Sequence, residues 1–581
     1  MCLYIIIFIF FFSKCIISKS TSERHIVNDL FDGLYKKEIY SGYLETDIEG
    51  TELFYVFTPS QSSPENDPII LWLNGGPGCS SMTGFLEEIG PVIFLPYKEK
   101  PVLNEYAWNK NASIFFIESP GGVGFSTLKN PTFYYDDKIQ AASLNIAVQN
   151  FFKIFPEYQS HSFYITGESY AGTYIPYLVS EMFKYMDNNV NAIQLKLKGF
   201  LIGNPYTYED VDFEDSMMEF GFSHAIISIE TFEKYLYECP HWPQKEQILY
   251  SFQESKDYKY EPKIIDNFLM PWKLVSNACN EARNESKSQF QGINFYGILK
   301  ECPTVDNVTE LIYDFKNADY EEINMHSEYN HFMKMLIRRS NERSLKMRSE
   351  KLSYEYLDDY ENDTQNEIAI DFFPGCYENK FTEDFLNNDT IKEKLGVSQS
   401  LNHSQCNPKL NYKWGDSIEF YEKDIKELNK KKDFNSWLFS GTEDIAVTTL
   451  GTLRFINKLQ YPITEKWKQW RFNNQVIGME QSYEYGLRFI TVKGVGHMVP
   501  EDNPLIAKLL LDKFLEFNEV NNRTENTSDD FPVWAIILIA VGSVLVLVLL
   551  FVIIIVIKKK KLNPPDQPES GKLLETKMEE Y

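Results

Sequence analysis

Ser162-Phe-Tyr-Ile-Thr-Gly-Glu-Ser-Tyr-Ala-Gly172 decides how this chain reads. Residues 162–166 are rich in aromatic and β-branched side chains and read as a short buried strand. Gly167 permits backbone angles closed to other residues, so the chain is expected to reverse there into a helix from about Gly172. A serine at the apex of such a strand–turn–helix has its hydroxyl pushed out of the sheet, where a nucleophile belongs. Ala171 stands where that pattern has its second glycine and still lets the helix pack closely behind the turn.

Outward from this elbow, residues 40–44 and 53–57 flank an Asp-Ile-Glu-Gly turn as an antiparallel hairpin. Residues 69–73 form a central strand that runs into Asn74-Gly-Gly-Pro-Gly-Cys-Ser-Ser81, and 114–117 run into Glu118-Ser-Pro-Gly-Gly-Val-Gly-Phe-Ser126. Helical spacing over 139–155 leads to the elbow strand, and 196–202 end at Gly203-Asn-Pro205. Strands return at 436–440, before Gly441-Thr-Glu-Asp444, and at 487–492, before Gly494-Val-Gly-His-Met-Val-Pro500. An amphipathic helix over 504–519 closes the domain. Such alternation predicts an α/β fold: a mostly parallel central sheet with helices on both faces. The stretch 206–409 breaks the pattern and reads as a long, mostly helical insertion, a cap, with a charged flexible loop at 305–371. The core thus comprises 21–205 and 410–520.

Ser169, Asp444 and His497 each follow a strand's C-terminal end, where open parallel sheets build their sites, and their order is that of the α/β-hydrolases. In that arrangement His497 takes the serine proton during attack on a carbonyl, and Asp444 fixes the imidazole tautomer and stabilises its cation. The loop Gly75-Gly76-Pro77-Gly78 follows a strand expected beside the elbow, so its amides and that of Tyr170 suit a developing oxyanion. No Gly-Lys-Ser/Thr follows those glycines, which excludes a phosphate cradle.

Three separated signatures, Asn74-Gly-Gly-Pro-Gly-Cys-Ser-Ser81, Gly167-Glu-Ser-Tyr-Ala-Gly172 and Gly496-His-Met-Val-Pro500, resemble those of the serine carboxypeptidase family, as does Pro120-Gly-Gly-Val-Gly-Phe-Ser126. The resemblance runs from about residue 27 to residue 518. It implies an α/β-hydrolase that removes single residues from peptide C-termini, with no metal or cofactor. By resemblance Ser169, Asp444 and His497 are the triad, and Gly76 and Tyr170 give the oxyanion amides. Asn74, Gly75 and Glu168, with Glu88 paired to Glu168, hold the substrate carboxylate. Two carboxyl groups in contact cannot both ionise cheaply, so the pair keeps a proton in weakly acidic solution and donates it to that carboxylate. Thr442, Thr127 and Asn503 depart from the family pattern without touching the catalytic set. Trp72 and Met498 are the candidate apolar wall for the released residue, and the resemblance implies a Cys79–Cys406 disulfide.

The 581 residues are 43% hydrophobic, enough for one large core, and the net charge of −26 excludes nucleic acid as a partner. Residues 1–20 read as a signal peptide. Residues 521–532 read as a polar stalk and 533–557 as a transmembrane helix, with Lys558 to Lys561 opening a cytosolic tail, 558–581. That is a single-pass type I membrane protein with a lumenal or extracellular body, in Golgi, endosome, lysosome or vacuole. In this layout it resembles the Golgi-resident processing carboxypeptidases of fungi. Besides Cys79 and Cys406, four cysteines of the mature body (Cys239, Cys279, Cys302 and Cys376) allow three pairings. Acceptor sequences for N-glycosylation begin at Asn111, Asn284, Asn307, Asn362, Asn388, Asn402, Asn522 and Asn526. Two other functions fit the same scaffold: acyl transfer to an alcohol, and a non-catalytic chaperone or adhesion ectodomain. The complete triad speaks against the second.

Overall fold

A computed structural model describes residues 24–95, 98–208, 214–239, 277–300, 380–407, 409–432 and 434–526. The signal segment, the 305–371 loop, the apolar stretch 533–557 and the tail lie outside them. Among the described residues no helix is long and apolar enough to cross a membrane. The chain divides into two compact units, Met1–Phe514 and Leu515–Tyr581. The sheet and the site below belong to the first.

Among the described residues, eleven strands build one sheet. The first five are β1 (His25–Ile26), β2 (Tyr40–Glu45), β3 (Glu52–Thr58), β4 (Ile69–Leu73) and β5 (Ser113–Ile117). After them come β6 (Ser162–Glu168), β7 (Lys196–Gly203), β8 (Asn435–Gly441), β9 (Ile463–Phe472), β10 (Gln475–Tyr483) and β11 (Leu487–Val492). Their order across the sheet is β1-β2-β3-β5-β4-β6-β7-β8-β11-β10-β9. The six middle strands, β5 to β11 in that order, are parallel neighbour to neighbour. Antiparallel strands flank them at both edges.

Alternation along β6 assigns its side chains to opposite faces. Phe163 and Ile165 enter a core with Phe151 and Phe152 of α1 (Asp137–Ile154) and Ile175, Leu178 and Val179 of α2 (Ala171–Asn188). Tyr164 turns the other way and meets Phe514 at 5.2 Å between ring centroids, as Trp437 of β8 does at 5.4 Å. Both faces are therefore covered, as a parallel sheet requires.

Between β7 and β8 the described elements are mainly helical: α3 (Glu214–Ser223), α4 (Ile229–Glu238), α5 (Asn277–Gln289), α6 (Lys380–Leu386), α7 (Asp389–Leu395) and α8 (Ile425–Lys432). A Cys239–Cys279 disulfide joins the end of α4 to α5, and Cys302 and Cys376 lie outside the described residues. Met218, Phe232 and Tyr235 of α3 and α4 share an apolar cluster with Tyr170, Tyr206 and Phe295, so these two helices rest directly on the elbow. The rest of the core follows as α9 (Thr449–Lys458), α10 (Val499–Asp502) and α11 (Pro504–Asn526). The last helix outruns its expected end and takes in the first residues of the polar stalk. No glycine or proline stands between Pro504 and Pro532 to stop it.

Candidate active site

The elbow forms where the sequence places it. Ser169, between β6 and α2, has φ of 60°, a left-handed conformation that costs energy for a serine and is held by its surroundings. Its amide donates to Gly203 O at 3.0 Å, while Gly172 N and Tyr206 N both donate to Ser169 O at 2.9 Å. Strain fixed by three backbone hydrogen bonds keeps the side chain outside the sheet.

One residue past Gly203, Asn204 turns to the next strand end. Its Nδ2 donates to Asp444 Oδ2 at 2.7 Å, and the same oxygen accepts from His497 Nδ1 at 2.7 Å. The other oxygen, Oδ1, accepts from the amides of Ala446 at 2.8 Å and Val447 at 3.3 Å. A fully buried carboxylate with four donors is fixed in place, and it in turn fixes the proton of His497 on Nδ1. Nε2 is left buried without a hydrogen-bond partner among the described residues, and no hydrogen bond joins it to Ser169. Catalytic contacts of this kind commonly tighten only when substrate is bound. Ser169, Asp444 and His497 thus follow the C-terminal ends of β6, β8 and β11 along one rim, tied through Gly203 and Asn204.

The glycine loop lies against the elbow. A Cβ on Gly75 would come within 2.4 Å of Tyr170 N and 2.7 Å of Ser169 Cβ, so only glycine fits there. Gly76 has φ of +111°. The loop is held from three sides. Gly78 N donates to Tyr174 Oη at 3.2 Å, Cys79 N donates to Gly75 O at 3.2 Å, and Cys79 is bonded to Cys406. Burial pushes the Tyr174 phenol well above its ordinary range, so it stays neutral there. Tyr170 is anchored as firmly: its hydroxyl donates to Asp137 at 3.0 Å and accepts from Gly415 N at 2.9 Å.

The four residues expected to hold a carboxylate also come together. Asn74 Nδ2 donates to Glu168 Oε1 at 2.9 Å and to Glu88 Oε1 at 3.3 Å, bringing two buried carboxyl groups to one amide. Asn74 Oδ1 accepts from Trp72 Nε1 at 2.7 Å and from Gly84 N at 3.1 Å, which fixes the orientation of that amide. Trp72 and Met498 are fully buried. Trp72 donates to Asn74 and makes an edge-to-face contact with Trp108 at 5.5 Å between ring centroids. The sequence reading passed over Asn204, Tyr174 and Tyr296, whose carbonyl accepts from His497 N at 2.6 Å. Only Asn204 carried a signal, a polar residue just beyond a strand's C-terminal end.

Comparison with known proteins bears on family and fold. Residues 31–517 match the serine carboxypeptidase family. Serine carboxypeptidase-like 34 of Arabidopsis thaliana is 31% identical over 491 residues, covering 82% of this chain and 85% of its own. The lysosomal protective protein of Mus musculus is 28% identical, over 84% of this chain and 93% of its own. Among solved structures, a prohormone-processing carboxypeptidase from Saccharomyces cerevisiae superposes with a TM-score of 0.58 at 19% identity, over 85% of this chain and 95% of that one. That likeness is one of fold.

Proposed function

The chain belongs to the serine carboxypeptidase family, and from that premise we propose that Ser169, His497 and Asp444 release C-terminal residues of peptides through an acyl-enzyme. His497 Nε2 takes the Ser169 proton as Oγ adds to the scissile carbonyl, and the amides of Gly76 and Tyr170 receive the oxyanion. Collapse breaks the C–N bond. The proton on Nε2 passes to the nitrogen of the departing amino acid, leaving an ester on Ser169. Water then enters, His497 takes its proton, and the serine is freed. The observation that carries this reading is the buried His497–Asp444 pair at 2.7 Å, on the rim that also bears the strained serine.

Asn74, Gly75, Glu168 and Glu88 restrict the cut to the chain end by holding the substrate's terminal carboxylate. The Glu88–Glu168 pair binds that anion only while it keeps a proton. Activity is therefore highest in acid, and KM rises as the pair loses its proton towards neutrality. We also propose that 21–205 and 410–520 form the catalytic core, with 206–409 as its cap. The apolar stretch 533–557 followed by Lys558 to Lys561, read from sequence alone, supports anchoring as a single-pass protein with the catalytic body in the lumen.

A fluorophosphonate probe tests the nucleophile. The full chain is expected to be labelled on Ser169, with labelling lost in Ser169→Ala and strongly reduced in His497→Ala. Equal labelling of the wild type and Ser169→Ala contradicts the assignment, and no labelling of the folded wild type returns the chain to the non-catalytic reading.

A further inference from the structure

The segment 294–300, which follows α5 and Gln289, crosses behind both loops that carry the proposed base and its carboxylate. Phe295 O accepts from Ile445 N at 2.9 Å and from Ala446 N at 3.2 Å, and Ile298 N donates to Glu443 O at 3.1 Å. These three bonds bracket Asp444. Tyr296 O accepts from His497 N at 2.6 Å, and the Tyr296 ring packs edge-on to the imidazole at 4.7 Å. A Cβ on Gly496 would come within 1.8 Å of Tyr296 O, so the two backbones touch. This strap reaches the loops from the insertion side of the fold, yet it sets the backbone of both.

Its far end is closed by charge. Lys300 Nζ pairs with Asp502 at the end of α10, and their side chains are only 12% and 6% exposed. Asp502 Oδ2 also accepts from Gly496 N at 2.6 Å, the amide immediately before His497. One carboxylate therefore joins the end of the strap to the peptide that leads into the histidine. We propose that Lys300 and Asp502 are positioning residues for His497, their ion pair locking the strap across the His497 and Asp444 loops. This rests on the assignment of His497 as the general base.

Burial holds the Asp502 carboxyl above the usual carboxylate range. Lys300 opposes that rise, and Glu501 on the same helix adds to it. As pH falls Asp502 gains its proton earlier than an ordinary aspartate, and the ion pair with Lys300 goes with it. Without Lys300 the proton is gained at a higher pH still.

The test measures kcat and KM of the full chain on a blocked dipeptide across acidic and neutral pH, with thermal melting as a fold control. Lys300→Met is expected to lower kcat about tenfold or more, because a small misplacement of the base is costly, while KM changes less than about twofold. Its acid limb of kcat is expected at higher pH than in wild type, and Lys300→Arg restores both. A packing role alone would lower the melting temperature without moving that limb. Unchanged kcat and acid limb in Lys300→Met overturn the inference, as does a Lys300→Arg as impaired as Lys300→Met. Should Lys300→Met not fold, Asp502→Asn, nearly isosteric, carries the test: kcat falls with KM held, and an unchanged kcat overturns it. Failure of wild type to cleave peptides or to take up fluorophosphonate is a separate result, against the assignment of His497 itself.

Discussion

Asp444 shares one oxygen between His497 and Asn204, and this shared contact shows where sequence reading stops at the residue scale. Serine, aspartate and histidine stood out in the sequence because each lies just past a strand, in the order of the α/β-hydrolases. Asn204 was not, since its partner lies 240 positions away and nothing local marks a hydrogen bond of that span. Asn204→Ala removes one of the four donors to the carboxylate and leaves Gly441 N, which donates to Asn204 Oδ1, without that acceptor. It is expected to cost about 1–3 kcal/mol in stability and to lower kcat with little change in KM. Thermal melts and steady-state kinetics check it, and an unchanged kcat removes Asn204 from the site's support. The Glu88–Glu168 pair makes a separate prediction. Glu168→Gln replaces a titrating group by one that donates at all pH values, so the rise of KM towards neutrality should flatten. A pH profile of KM that keeps its wild-type shape would contradict the shared-proton account.

At the scale of elements, the glycine loop after β4 is positioned by partners from distant parts of the chain. Cys79 is tied to Cys406, 327 positions away, and the pairing is reinforced by Ser80 N to Gln405 O at 2.7 Å and Asn407 N to Gly78 O at 2.9 Å. Cys406→Ser is expected to lose about 2–5 kcal/mol of stability. It should also lower kcat, because the glycine loop that carries the amide of Gly76, proposed to receive the oxyanion, loses its mooring. A variant that melts earlier but retains wild-type kcat would separate the disulfide from catalysis. The family resemblance supplied this pairing, whereas spacing alone left the remaining cysteines open. Periodicity located the middle strands to within a residue or two, because each is a short apolar run ended by turn residues. It did not locate β9 and β10. Their pairing shifts register between Ile463 and Glu465, between Glu465 and Lys468, and between Trp470 and Arg471, and these shifts break the alternation a strand is recognised by. The turn between them is Asn473-Asn474, with φ of 47° and 64°, a weaker hairpin signal than Asn-Gly.

For the whole molecule, the decisive fact is that a sheet assembled from both ends of the chain brings residues 169, 444 and 497 to one rim. The parts legible in the sequence were those governed by local pattern: the middle strands, the elbow turn and the helices between them. What stayed hidden is contact between segments far apart, above all the strap at 294–300, which arrives from the insertion to brace the two loops. Mass spectrometry of a synthetic peptide incubated with the full chain in mild acid tests the central claim most directly. A ladder of single-residue losses from the C-terminus is predicted, absent with Ser169→Ala and strongly slowed when the peptide's terminal carboxylate is amidated. Internal cleavage, or a ladder that persists without the Ser169 hydroxyl, would contradict it.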